Sequence, residues 1–143
     1  MDPVDLAKEV LANSYTFQLK AQFFHWNVKG PNFSELHEFF GSLYTEVFEA
    51  CDGIAEQIRA CNSFAPGSYA RFSELSKIKG EENILSAEEM IAALEADNKI
   101  VLASLVDCYK SCDSDEYIGL QNFIQDRIEI HKKHGWMLSA YTK

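Results

Sequence analysis

The chain has 143 residues, 47% apolar and 24% charged, enough for one domain whose core closes without disulfide or metal staples. Its 13 Lys and Arg against 22 Asp and Glu give a formal net charge of −9, which argues against general affinity for nucleic acid or anionic membrane and favours attraction of cations. No apolar run approaches the roughly 20 residues that span a bilayer, and the start MDPVDLAKEV lacks the layout of a signal peptide, so the expected address is cytoplasmic.

Asp2 reads as a helix cap, with Pro3 at the first helical position and Asp5 near the positive end of the dipole. Leu6, Val10, Phe17, Ala21, Phe24 and Val28 recur at spacings of three, four and seven, the pattern of an amphipathic helix. Lys29-Gly30-Pro31 should end it. A second helix is predicted from Asn32, with Glu35 placed for a capping-box-like arrangement. Its core stripe is Leu36, Phe40, Leu43, Val47, Cys51, Ile54 and Ile58. A second, mixed stripe runs beside it through His37, Gly41, Thr45, Phe48, Asp52, Ala55 and Glu56, so this helix should face both a core and a partner.

Asn62 to Gly80 carries the main loop signals, among them Pro66-Gly67, with a short helix predicted over Tyr69–Ser76. A link of that length suits a connection crossing a bundle from end to end. Ser86 and Glu89 form a capping box, flanked by Leu85 and Met90 at staple positions. Leu94, Val101, Leu105 and Cys108 give the third long helix its stripe. Asp113-Ser114-Asp115 breaks it, and Leu120, Ile124, Ile128, His131 and Leu138 mark a fourth. The expected fold is all-α: a four-helix bundle with one long crossover, a single domain over residues 1–143. Cys51, Cys61, Cys108 and Cys112 show no CxxC pair and read as reduced, buried thiols.

The residues that carry chemistry lie between Phe23 and Arg59. His25 and His37 flank a tight turn, so their imidazoles can meet. Asp52 and Glu56 stand four apart on one helix face. Imidazole with carboxylate suits iron, manganese or zinc. From His37 to Asp52 is 15 residues, roughly 22 Å of straight helix, too far for one ion. Two antiparallel copies related by a two-fold axis near Thr45 would set His37 of one opposite Asp52 and Glu56 of the other. A metal centre here therefore requires a homodimer. The competing reading leaves Asp52 and Glu56 as surface acids pairing with Arg59 or a lysine.

The run His25-Trp26-Asn27-Val28-x-Gly30-x-x-Phe33-x-x-Leu36-His37, followed by Asp52-x-x-Ala55-Glu56-x-Ile58, resembles the signature of the Dps miniferritins, the DNA-binding proteins from starved cells. The likeness continues through Phe64-Ala65-Pro66-Gly67, Glu74-Leu75-Ser76-x-Ile78-Lys79, Ser86-Ala87-Glu88-Glu89-Met90 and Asp126-Arg127-Ile128-x-x-His131-x-Lys133-x-x-Trp136-Met137-Leu138. It implies a ferritin-like bundle with a short helix in the crossover, assembled as a hollow shell of twelve subunits. It also implies ferroxidase centres at two-fold interfaces, where Fe(II) is oxidised by peroxide or oxygen and then stored as ferric mineral, with zinc or manganese as competitors. On this resemblance His25 and His37 are metal ligands from one subunit, and Asp52 and Glu56 are ligands from its neighbour. Trp26 stands beside the centre as a redox-active neighbour or as core filling, while Trp136 looks like packing.

Two positions depart from the family pattern. Where the family places an Asp four residues after the second His, this chain has Gly41, which offers no ligand and weakens the second iron position. Of the nearby acids, Glu38 is expected to point off the face, and Glu49 is the better substitute. At the family's three-fold pores one expected Asp is Asn122; Asp113, Asp115, Glu116 and Asp126 are candidates to keep the pore negative, the first three equally readable as a solvated helix start. The chain has no lysine-rich tail, so weak or no DNA binding is expected.

Overall fold

Asp2 caps the first helix as its sequence suggests, its side chain accepting from the Val4 N–H at 3.2 Å. In the computed structural model, which describes residues 1–142, α1 (Pro3–Asn27) leads into α2 (Phe33–Ala60), the longest helix of the fold. After a crossover containing the short α3 (Tyr69–Leu75) come α4 (Ala87–Ser111), a 3-10 turn at Asp115–Tyr117 and α5 (Ile118–Ala140). The described residues contain no strand. The four long helices form the expected ferritin-like bundle, with the short helix in the crossover between the second and third of them.

The buried residues of α2 are the seven of the predicted stripe: Leu36, Phe40, Leu43, Val47, Cys51, Ile54 and Ile58. They meet Phe17 and Phe24 of α1, Leu94 and Leu105 of α4, and Leu120, Ile124 and Leu138 of α5 in one hydrophobic cluster. Each such side chain contributes about 1.5–3 kcal/mol by leaving water. Leu6 and Ile128, assigned to core stripes, are only half-buried. Trp136 is 67% exposed rather than packed. It follows His131 by five residues, about 140° round α5 from the buried face.

The turn between α1 and α2 positions the candidate site. Gly30 takes φ +116°, and the Phe33 N–H donates to the Gly30 carbonyl at 3.1 Å. This tight reversal lays the end of α1 beside the start of α2. It also defeats the expected cap. Asn32 sits at φ −106°, ψ 29° and makes no side-chain cap bond, whereas Ser68 and Ser86, which do cap, have ψ near the extended range at 157° and 161°. The Ser86–Glu89 capping box is complete, with Met90 buried and Leu85 against the core.

The crossover is tied down along α1. Asn13 Oδ1 accepts from the Lys77 N–H at 2.8 Å, and Tyr15 stacks on Phe72 with ring centres 4.9 Å apart. Lys20 donates to the Lys79 carbonyl at 3.0 Å and pairs with the largely buried Asp97 at 2.8 Å. Burial pushes the Asp97 carboxyl above its usual range despite that lysine. All four cysteines are free. Cys51, Cys108 and Cys112 are buried as expected, but Cys61, at the frayed end of α2, is partly exposed. Burial raises the thiol pKa of each, Cys51 and Cys108 to about 12.

Candidate metal centre

His25 and His37 hold each other in place. His25 Nδ1 lies 2.6 Å from the His37 carbonyl, and His37 Nδ1 lies 2.7 Å from the His25 carbonyl. A carbonyl only accepts, so both Nδ1 atoms carry the hydrogen, which leaves Nε2 as the ring nitrogen able to bind a metal. The rings stack at 3.9 Å and 15°, with Phe33 stacked on His37 at 5.2 Å. A histidine whose other ring nitrogen donates to a backbone carbonyl is oriented as a metal ligand is. The pair lines an open cleft of about 800 Å³ on the outer side of α2.

Asp52 lies at a second cleft, of about 760 Å³, between α2 and the crossover. Both Asp52 and Glu56 are exposed, and neither forms an ion pair among the described residues. They are surface residues, as the competing reading had them, but Arg59 does not pair with them: its guanidinium donates to the Ser63 carbonyl at 3.0 Å and covers the Phe64 ring at 4.4 Å. No three metal-ligating groups come together within one chain among the described residues. The mixed stripe of α2 faces outward, with Phe48 52% exposed on it.

A family model described as a ferritin-like domain matches residues 4–143. The chain is 34% identical to DNA protection during starvation protein 2 of Bacillus anthracis over 139 residues, 95% of this chain and 92% of that protein. The chain belongs to the Dps family of ferritin-like proteins. Its fold superposes on the crystal structure of a Dps protein from Bacillus brevis with a TM-score of 0.93 at 29% identity, covering 99% of this chain and 95% of that one. Against the Dps protein of Vibrio cholerae, described as one of a broad superfamily of ferritin-like diiron-carboxylate proteins, the TM-score is 0.94 at 25% identity, over 99% and 89% of the two chains.

In this Dps-family chain the departure at Gly41 has a steric counterpart. A Cβ placed there would fall 2.9 Å from His25 Cε1 and 3.0 Å from its Nδ1, so the imidazole occupies the space a side chain would need. Trp26 is 61% exposed beside the pair, and so does not fill the core. Glu38, expected to point away, borders the histidine cleft, as do Glu46 and Glu49. Asp113, Asp115, Glu116, Asn122 and Asp126 are all exposed.

A polar cluster behind the cleft lay outside the reading of the sequence. Arg127, 3% exposed, binds Glu46 through both terminal nitrogens, at 2.5 and 3.1 Å, and His134 reaches the same carboxylate at 2.8 Å. Burial alone would raise the Glu46 pKa, but the bonds from His134 and Arg127 outweigh it and hold it at about 2. Asn98 Nδ2 donates to the His131 carbonyl at 2.8 Å, so its Oδ1 accepts from His131 Nδ1 at 2.8 Å. That leaves His131 Nε2 to accept from Arg127 at 3.1 Å. His131 is fully buried, and burial, with Arg127 beside it, lowers its pKa well below 6.5. The one legible signal was His131 within the predicted stripe of α5.

Proposed function

We propose that this protein is a miniferritin that takes up Fe(II) at centres shared by two copies, oxidises it with peroxide or oxygen, and stores Fe(III) inside a cage of twelve subunits. The observation that carries the reading is the reciprocal His25–His37 pair, with both Nε2 atoms free, on the helix face that also presents Asp52 and Glu56. Folding a two-fold axis near Thr45 onto that face assembles two imidazoles and two carboxylates, a donor set suited to iron. Zinc and manganese would compete for the same donors. Trp26, exposed next to His25 in the chain, would give up an electron to the oxidant. The assignment of His25, His37, Asp52, Glu56 and Trp26 is part of this proposal, as are the cytoplasmic address and the negative pore lined from Asp113, Asp115, Glu116 and Asp126. No described helix is long and apolar enough to cross a membrane. With −9 per copy, the assembled cage should not retain duplex DNA.

Fe(II) oxidation by the purified protein, followed optically with peroxide or oxygen, tests the reading. Oxidation faster than buffer, lost in a His25→Ala/His37→Ala variant that still assembles, is the expected result. Gly41 favours one alternative, a cage-forming or metal-binding protein with a decayed oxidation centre. Rates equal to buffer, with no mineral-filled shells, would establish that alternative instead. A shift of duplex DNA at physiological salt and neutral pH would overturn the DNA part.

A further inference from the structure

We infer that Glu49 of one copy supplies the carboxylate that position 41 of the other copy cannot. The inference rests on the two-fold centre proposed above and adds a ligand to it. Position 41 supplies no carboxylate, and a Cβ there would lie 2.9 Å from His25 Cε1, so the ring would have to shift to admit any side chain. Two carboxylates balance the charge of one divalent ion, and a second ion at the same centre would favour a third acid from another position.

Glu49 is placed for it by three observations. It borders the histidine cleft, and it also borders the cleft that holds Asp52. No other residue is shared by the two. It is exposed, and among the described residues it makes no hydrogen bond or ion pair, so it is not already committed as Glu46 is to Arg127 and His134. Finally, Glu49 and Gly41 each stand four residues from Thr45, on opposite sides of it. The axis that faces His37 toward Asp52 and Glu56 of the second copy therefore sets Glu49 of that copy level with Gly41. A glutamate reaching across the interface replaces an aspartate reaching along its own helix.

Anaerobic titration of the full-length protein with Co(II), read by the visible ligand-field bands, tests this apart from iron oxidation. Sedimentation checks that each variant assembles. Glu49→Gln should weaken cobalt binding by about tenfold or more and change the intensity of the bands, which report coordination number. Glu38→Gln, the other free acid at the cleft, should stay within about threefold of the parent. A Glu49→Gln protein with parental affinity and spectrum overturns the inference, as does a loss that follows Glu38→Gln instead. The His25→Ala/His37→Ala variant separates the two levels. If it loses cobalt while Glu49→Gln does not, only the role of Glu49 falls; if neither loses it, the shared centre falls as well.

Discussion

The two sides of α2 are built on opposite terms. The inner side is finished within one chain: seven apolar residues are buried, and Glu46, at its edge, is bound by both Arg127 and His134. The outer side is left open. His25 and His37 are fixed by each other's backbone, yet their Nε2 atoms, Asp52, Glu56 and Glu49 make no hydrogen bond or ion pair among the described residues. A closed polar network resists change and holds the helix; an open one waits for a ligand or a second copy. Substitutions on the inner side should thus move stability and spare metal chemistry, and those on the outer side should do the reverse.

The largest stability effect is expected from Arg127→Ala. It leaves Glu46 with His134 alone and removes the donor to His131 Nε2. Losing a charged bidentate bond to a carboxylate that is a third exposed and keeps His134 costs about 1.5–3 kcal/mol. Urea unfolding followed by circular dichroism measures the loss, and cobalt affinity of the folded protein should stay near the parent's. A loss below about 1 kcal/mol would mean the pair behaves as a surface ion pair, and the contrast between the two sides would collapse.

A pH series probes the same region. His131 is neutral in the fold, with its pKa depressed well below 6.5, so the unfolded chain binds a proton that the folded chain refuses. Stability is then full above pH about 6.5 and falls as the pH drops below it, by up to about 1.4 kcal/mol per pH unit for one proton. Glu46 adds a second loss of the same sign, between its ordinary 4.5 and about 2. His131→Gln should flatten the first decline and leave the second. A His131→Gln protein with the parent's profile between pH 6.5 and 5 would assign that decline elsewhere.

How much of this was legible differs between the two sides for physical reasons. The seven-residue stripe of α2 could be read in full because helical periodicity is local, and the meeting of His25 and His37 could be read because a tight Gly30 turn forces it. The Glu46–Arg127 pair spans 81 residues and joins α2 to α5, and nothing in either helix's own pattern marks it. The missing Asn32 cap has the opposite origin: the residue type was right, but the turn set a ψ from which its side chain cannot reach the helix N–H groups. Trp136, read as packing, is exposed, and so is Trp26, which rules out core filling for it.

Gly41→Ala lies between the two sides in size. Alanine gains about 1 kcal/mol of helix propensity over glycine, and its methyl meets the His25 ring at 2.9 Å. The ring can swing aside at the cost of its stack on His37, so the net change in stability should be under about 1 kcal/mol. Cobalt affinity should fall, because one Nε2 is no longer held beside the other. Parental affinity in Gly41→Ala would show that the stacked arrangement is not what binds.

The smallest stability effect should come from Asp52→Asn combined with Glu56→Gln. Both residues are exposed and form no ion pair among the described residues, so thermal unfolding should shift by no more than the equivalent of about 0.5 kcal/mol. Amides of the same shape keep the surface but withdraw two negative charges from the partner's histidines. Fe(II) oxidation should therefore drop to the buffer rate with assembly intact. Mixing this variant with His25→Ala/His37→Ala gives the decisive control. Each chain then carries the half-site the other lacks, and a mixed dimer restores one complete centre and destroys the other. Recovery of oxidation on co-assembly of the two inactive proteins is possible only if the site is divided between copies. No recovery in verified mixed dimers would return the chemistry to within one chain.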